Sequence, residues 1–167
     1  MFPGQPLELE VQHCADGLLM AMIGPVCLAL WHSQPTRERF AIQRDVLHGA
    51  VARDPGKVVF LCVVTPGAPP PEDAERAASA AMITSQGAKL LGVACVIEGS
   101  GFRAAITRTV LSGMVMMIRT PSPLKLFDGV HVAEPWLAKL VGRKSLAGLA
   151  AQCERGRALL RDETAAI

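Results

Sequence analysis

The segment EGSGFR, from Glu98 to Arg103, contains the residues of this chain best suited to binding a small molecule. It lies between an apolar, strand-like run and a predicted helix, so backbone N–H groups would be free at the positive end of the helix dipole. Arg103 adds a positive charge beside them. The pattern predicts a site for an anionic or lipid-like ligand, formed by Gly99, Ser100, Gly101 and Arg103.

The same segment also fits a purely structural role. Ser100 or Gly101 would then cap the helix, the glycines would permit the turn, and Arg103 would point into solvent. A single GSG lacks the longer spacing of nucleotide-binding loops. Ser100 could accept a phosphate or act as a nucleophile, but the segment is not the GxSxG turn of hydrolases, and spacing assigns it no His/Asp partners. We therefore predict no catalytic residues.

The histidines and cysteines are spread too widely to predict a metal site. No two histidines have helical i, i+4 spacing, and no CxxC pair occurs. Most of the cysteines lie in apolar, strand-like segments, where buried reduced thiols are expected. We therefore predict neither a metal nor a cofactor. These residues are His13, His32, His48, His131, Cys14, Cys27, Cys62, Cys95 and Cys153.

Methionines near the end of a predicted helix, Phe102 to Arg119, form a second candidate site. Met114, Met116 and Met117 point in different directions around such a helix, so at least one should be exposed. We expect Met114, Met117 and Ile118 to contact a protein partner, which could be a second copy of the chain. Packing of these side chains in the core is the alternative.

Composition restricts the classes of partner. The chain has 167 residues, half of them hydrophobic and 19% charged, which predicts one folded domain. A net charge of +2 with dispersed basic residues and no Tyr argues against nucleic acid. The longest run without charged residues or histidine, Gly17 to Trp31, is short and is broken at Gly24-Pro25, so we expect no membrane insertion. Acidic residues where a secretory signal would be basic predict a cytoplasmic protein.

Hydrophobic periodicity predicts the elements. Alternation over Leu7 to His13 indicates a half-exposed strand, and the apolar runs around Gly24-Pro25 indicate two strands or one bent strand. The runs VVFLCVV and LLGVACVI are expected to be buried strands, each between helices. Ser145 is expected to cap a final helix that docks on its own domain or on another chain.

The predicted fold class is α/β, with a single mixed, mostly parallel sheet, an N-terminal antiparallel strand pair, flanking helices and one extra C-terminal helix. The alternation of strands and helices after the first hairpin is the basis for the parallel part. The predicted organisation is a tail at residues 1–6, the α/β domain at 7–141, the C-terminal helix at 142–163 and a frayed tail at 164–167.

This order of elements resembles STAS domains and their SpoIIAA-like relatives over roughly Leu7 to Val141. In many SpoIIAA-like proteins a short strand ending in Phe precedes a helix with a Trp-Leu pair, and here those residues are Phe127, Trp136 and Leu137. The resemblance implies a small domain that acts by binding partners such as regulatory kinases, anti-sigma factors or membrane proteins.

One departure from that family concerns its phosphorylation switch. Phosphoregulated members carry a serine-containing turn after a central strand, whereas this chain has TPGAPPP from Thr65 to Pro71, without serine. We do not expect that switch in this chain. From the resemblance we expect a non-enzymatic regulatory or scaffolding module that binds another protein. The alternatives are a sensor of a small ligand near Gly99 to Arg103 and the proline loop, and an enzyme whose acid and base groups, such as Glu98 or a histidine, are assembled only by folding.

Overall fold

In the part of the chain that the structure describes, six strands form one mixed sheet, and their spatial order, β1 to β6, is also their order along the chain. The first three strands pair antiparallel, and β3 to β6 pair parallel. The computed structural model describes residues 6–166, apart from the side chain of Met117. The predicted α/β fold class is confirmed. The strands are β1 (Leu9–Ala15), β2 (Leu18–Ile23), β3 (Val26–Trp31), β4 (Val58–Val64), β5 (Leu90–Ile97) and β6 (Leu124–Phe127).

Within the described residues, five α-helices cover the two faces of this sheet. The helices are α1 (Arg37–Arg53), α2 (Asp73–Gln86), α3 (Phe102–Met117), α4 (Val130–Leu140) and α5 (Leu149–Ala165). The first three each connect two neighbouring parallel strands, always stepping in the same direction, so crossovers of one hand put them on one face. The other two pack on the opposite face. Within residues 6–166, no helix has both the length and the apolar composition needed to cross a bilayer.

The central strands are buried on both faces, as their continuous apolar runs predict. In β4, Val59, Leu61 and Val63 face the layer of α4 and α5, while Val58 and Phe60 face the layer of α1 and α2. All of these side chains are at most 2% exposed. Each contributes roughly 1.5–3 kcal/mol through removal of its apolar surface from water, so β4 and its neighbours hold the two layers together.

The inward face of β1 differs from the simple alternation predicted for it. The pairing of β1 with β2 is irregular between Val11 and His13. Leu7 is buried and Leu9 packs on the same core, but Val11 is 43% exposed and Cys14 takes an inward position. The bulge moves the alternation by one residue, and because side chains alternate with a period of two, the residues after it change face.

The last helix begins at Leu149, so the prediction that Ser145 caps it is wrong. The Ser145 hydroxyl donates to Glu134 Oε1 at 2.9 Å, and the same carboxylate oxygen accepts from the backbone N–H of Leu146 at 3.0 Å. Gly148, with a left-handed φ of 93°, occupies the capping position. Ser145 therefore holds the preceding turn against α4, and α5 docks on the sheet of its own chain.

Two thiols, one on β3 and one on α5, are fully buried in different layers of the core. Burial raises the pKa of Cys27 and of Cys153 to about 12, from an ordinary value of 9.0. A neighbouring arginine lowers each pKa, but by less than burial raises it. Both cysteines therefore keep their protons in the folded chain at a pH where the unfolded chain would release them.

This difference predicts a loss of stability in alkali. Below pH 9 both states hold the thiol protons, whereas between pH 9 and about 12 only the folded state does. The free energy of unfolding should fall there by about 1.4 kcal/mol per pH unit for each thiol. Urea unfolding at pH 8 to 11 with a reductant measures the free energy of unfolding at each pH. Its decrease with pH should be smaller by that amount per pH unit in Cys153→Ala than in the wild type. Equal slopes in the variant and the wild type would contradict the assignment.

Candidate functional site

The turn between β5 and α3 depends on its two glycines. Gly99 and Gly101 have φ angles of 92° and 91°, in the region that other residues avoid. A Cβ atom on Gly99 would lie 3.1 Å from the side chain of Pro66. Gly101 is the N-cap of α3 and provides no side-chain cap, while Ser100 is exposed. The glycines thus have a structural reason to be present, apart from any ligand.

A pocket of about 200 Å³ lies between this turn and the proline loop that follows β4. Thr65, Glu98 and Arg103 contribute polar groups to a wall that is otherwise mainly apolar. Of the four residues predicted to bind a ligand, only Arg103 lines the pocket, and Gly99, Ser100 and Gly101 do not. The structure therefore brings Arg103 to the proline loop, as the ligand hypothesis requires, but leaves the GSG backbone outside the wall.

Arg108 is the basic residue that holds the turn in place. Its Nη2 donates to the carbonyl of Gly99 at 2.9 Å and to that of Ile97 at 3.2 Å. Its Nε lies 3.4 Å from a carboxylate oxygen of Asp128, just after β6. Sequence reasoning missed this contact, because Arg108 lies two turns into α3. Its side chain points back toward the end of β5, so its positive charge is largely used in contacts within the domain.

Glu98 and Arg157 form a largely buried ion pair that ties α5 to the end of β5. Both terminal guanidinium nitrogens donate to the two carboxylate oxygens of Glu98. The side chains are 20% and 14% exposed. Glu154 also accepts from Arg157, at 2.9 Å, but is itself 66% exposed. Since its carboxylate is engaged at both oxygens, Glu98 is poorly placed to serve as a general base.

His32 and Thr65 meet at the same edge of the sheet. The distance from His32 Nδ1 to Thr65 Oγ1 is 3.0 Å, and Thr65 is 5% exposed. Each residue directly follows a strand of a parallel pair, and this position was the sequence signal for their contact. In the part of the chain that the structure describes, no hydrogen bond of a third side chain orients the imidazole, and no three His, Cys, Asp or Glu residues form a metal-binding group.

The residues predicted to contact a partner lie at the end of α3, where Met114 and Ile118 are half-buried. Met114 packs on Cys95 and Leu111, and Ile118 packs on the neighbouring core. The side chain of Met117 lies outside the described part of the structure. Met116, in contrast, is 87% exposed. Among the described side chains at this end of α3, the largest apolar exposure is thus at Met116.

Exposed residues continue along α3 as one stripe. Phe102 is 81% exposed and Ile106 is 40% exposed, on the same side of the helix as Met116. Between them, Thr109 and Gly113 are also exposed. The spacing is 4-3-4-3, which confines the five residues to about 80° of the helix surface. We call Phe102, Ile106, Thr109, Gly113 and Met116 the outer stripe of α3; it contains no charged residue.

A small apolar cavity lies beneath α3 on the opposite side of the helix. Its volume is about 60 Å³, and Cys62, Cys95 and Met114 contribute to its wall. A cavity that holds benzene has about 150 Å³, more than twice this volume. We take as the candidate functional surfaces the loop pocket, which contains the predicted Arg103, and the outer stripe, which carries exposed apolar side chains.

The ion pair generates a stability prediction with an internal control. Glu98→Gln should lower the free energy of unfolding by about 2 kcal/mol, because it removes a carboxylate that holds a largely buried guanidinium. Glu154→Gln changes a carboxylate that contacts the same arginine from the surface, and should cost no more than about 0.5 kcal/mol. Urea unfolding at neutral pH measures both, and similar losses in the two variants would be inconsistent with a special role for Glu98.

No family model, curated protein or solved structure matches this chain. The resemblance to STAS domains therefore stays a prediction from the sequence. What the chain does has to be argued from the surfaces described above, with the contacts and exposures that each of them presents.

Proposed function

We propose that this chain is a non-enzymatic regulatory or scaffolding module that binds a protein partner through the outer stripe of α3. The observation that carries the proposal is the concentration of exposed apolar side chains on this one surface. Three of the six exposed large hydrophobic residues in the described part of the chain, Phe102, Ile106 and Met116, lie on it. The other three are on β1, α4 and α5.

The stripe has the form of a helix-binding surface. Its 4-3-4-3 spacing is the spacing with which two helices pack side by side at a shallow angle. Gly113 leaves room for close approach of a partner, while Phe102 and Met116 provide large flexible or aromatic side chains at the two ends. An exposed apolar surface of this kind is typical of a contact with another protein.

Sheet topology favours this proposal over a large ligand site. Open α/β sheets bind ligands where the strand order reverses and the neighbouring loops diverge to opposite faces. Here the strand order runs from β1 to β6 without reversal, so the loops after β4 and β5 both lead to the same face. The resemblance to STAS domains supports the same class of function. The five free cysteines fit a reducing, cytoplasmic setting, which we also propose.

Site-specific photocross-linking in the cells that make the protein tests the proposal. A benzophenone side chain at position 102, 106 or 116 should yield covalent protein adducts, because these positions would lie within the contact. Val132 and Leu159 are matched controls, since they are apolar and 49% and 44% exposed but lie on α4 and α5. Equal adduct yields at the stripe and control positions, or none at any of them, would refute the proposal.

The loop pocket supports a second candidate function, the sensing of a small ligand. Its volume of about 200 Å³ exceeds the roughly 150 Å³ that holds benzene, and it combines an apolar wall with the Arg103 guanidinium. In the described chain Arg103 forms no ion pair, whereas Glu98 is neutralised by Arg157. A small molecule with one negative charge would suit this arrangement.

Native mass spectrometry of the gently purified protein tests this second candidate. A ligand in the loop pocket should appear as a discrete added mass on the wild type. The mass should be absent from Arg103→Ala and retained in Arg119→Ala, which removes an exposed arginine that does not line the pocket. A bare wild-type mass, or an added mass that survives both substitutions, would argue against a ligand at Arg103.

A further inference from the structure

We propose that the partner of the outer stripe is a second copy of this chain, and that two α3 helices pack antiparallel with Thr109 at the twofold axis. This inference rests on the proposed function, because it names the partner of the same surface. A twofold contact requires a surface that is complementary to itself. The outer stripe meets that requirement in its side-chain sizes, its charge and its helix polarity.

Side-chain size is distributed almost symmetrically about Thr109. Phe102 precedes it by seven residues and Met116 follows it by seven, so an antiparallel pair places the aromatic ring of one copy against the thioether of the other. Ile106 lies three residues before the axis and Gly113 lies four after it. The branched side chain of each copy thus meets a position without a side chain in the other.

Charge complements this arrangement along one flank of the stripe. Arg103 lies seven residues before Val110, and hence on the same side of α3. On that side Val110 lines an open groove between α3 and α2, and Arg103 itself borders the loop pocket. Asp73, at the start of α2, lines that groove, and its side chain is 92% exposed although it pairs with Arg76. In the antiparallel pair the twofold axis is perpendicular to the two helices, so the same flank of α3 in each copy lies on the same side of the contact. Arg103 of each copy then reaches toward Asp73 of the other.

Helix polarity also selects the antiparallel arrangement. α3 contains arginine residues but no acidic residue. In a parallel pair, the two Arg103 residues would lie at the same level on opposite flanks, away from Asp73 of the other copy, and the two positive helix ends would lie side by side. In the antiparallel pair, each Arg103 lies near the negative end of the opposite helix, which stabilises the arrangement.

Sedimentation velocity of the full chain at micromolar concentrations tests the inference first. The wild type should sediment as a dimer, with twice the mass of the 17.7 kDa chain. Phe102→Ser with Met116→Ser should raise the dimer dissociation constant at least about 100-fold, because four large apolar side chains leave the contact. Val132→Ser with Leu159→Ser is the matched control and should leave the dimer unchanged. A wild type that is monomeric, or a dimer that survives the stripe substitutions, would overturn the inference.

A charge exchange tests the proposed ion pair and does not depend on apolar packing. Arg103→Glu and Asp73→Lys should each weaken the dimer, because each places like charges together. The double variant should restore the wild-type affinity within about twofold at low salt. Additive weakening in the double variant would contradict the pairing of these two residues across the axis.

Cross-linking with a short bismaleimide separates the two helix directions. Thr109→Cys should link to itself in high yield, because the two positions meet at the axis. Phe102→Cys should not, because in the antiparallel pair its two copies lie about 21 Å apart along the helices. The wild type, with five native thiols, measures the background. Equal linking at both positions would indicate a parallel pair.

The photocross-linking experiment distinguishes failure of this inference from failure of the proposed function. If the stripe positions form adducts with the same chain, both stand. If the wild type is monomeric while those positions capture a different protein, the second copy is excluded and the interaction function stands. If neither occurs, both are refuted.

Discussion

In the parallel part of the sheet, each new strand pairs on the same side of the strand before it. This constant direction determines where every crossover helix lies. α1, α2 and α3 lie in a row on one face because each crossover has the same direction. α3 comes last in the row and covers the end of the sheet where β6 has only four residues. The outer stripe lies on the side of α3 away from the sheet, so its side chains are left to solvent or to a partner.

The turn that begins α3 is held by polar contacts from distant parts of the chain. Arg108 fixes the carbonyls of the turn, and Arg157, from the last helix, engages Glu98 at the end of β5. The start of α3 is therefore positioned by two side chains that face inward, while Phe102 and Arg103 face outward. A rigid start to the helix allows the exposed residues to be presented in a fixed geometry, which lowers the entropic cost of binding.

Much of the fold could be predicted from the sequence, because its signals are local. Periodicity and turn residues predicted the buried runs of β4 and β5 and the break at Gly24-Pro25 between β2 and β3. The prediction for Ser145 was wrong because its hydroxyl donates to Glu134 of α4 and does not cap α5. The bulge in β1 was not predicted because no local sequence pattern marks it.

The candidate surfaces were less predictable than the fold, for a related reason. Met114 was expected to face a partner, but which side of α3 meets the sheet depends on contacts far apart in the chain. A helical wheel of Phe102 to Met116 would have grouped the outer stripe, although it could not have chosen between that side and the buried one. The Glu98–Arg157 pair joins residues 59 positions apart, beyond the reach of any spacing rule.

The two borders of the sheet have a consequence for aggregation. Unpaired strand edges are templates on which other chains can add strands and begin fibrils. Here one border is β1, interrupted by its bulge, and the other is β6, which is short, follows Pro121 and Pro123, and carries Lys125. Both borders therefore resist the addition of further strands. Such a chain can have an apolar surface on a helix while its sheet stays protected against polymerisation.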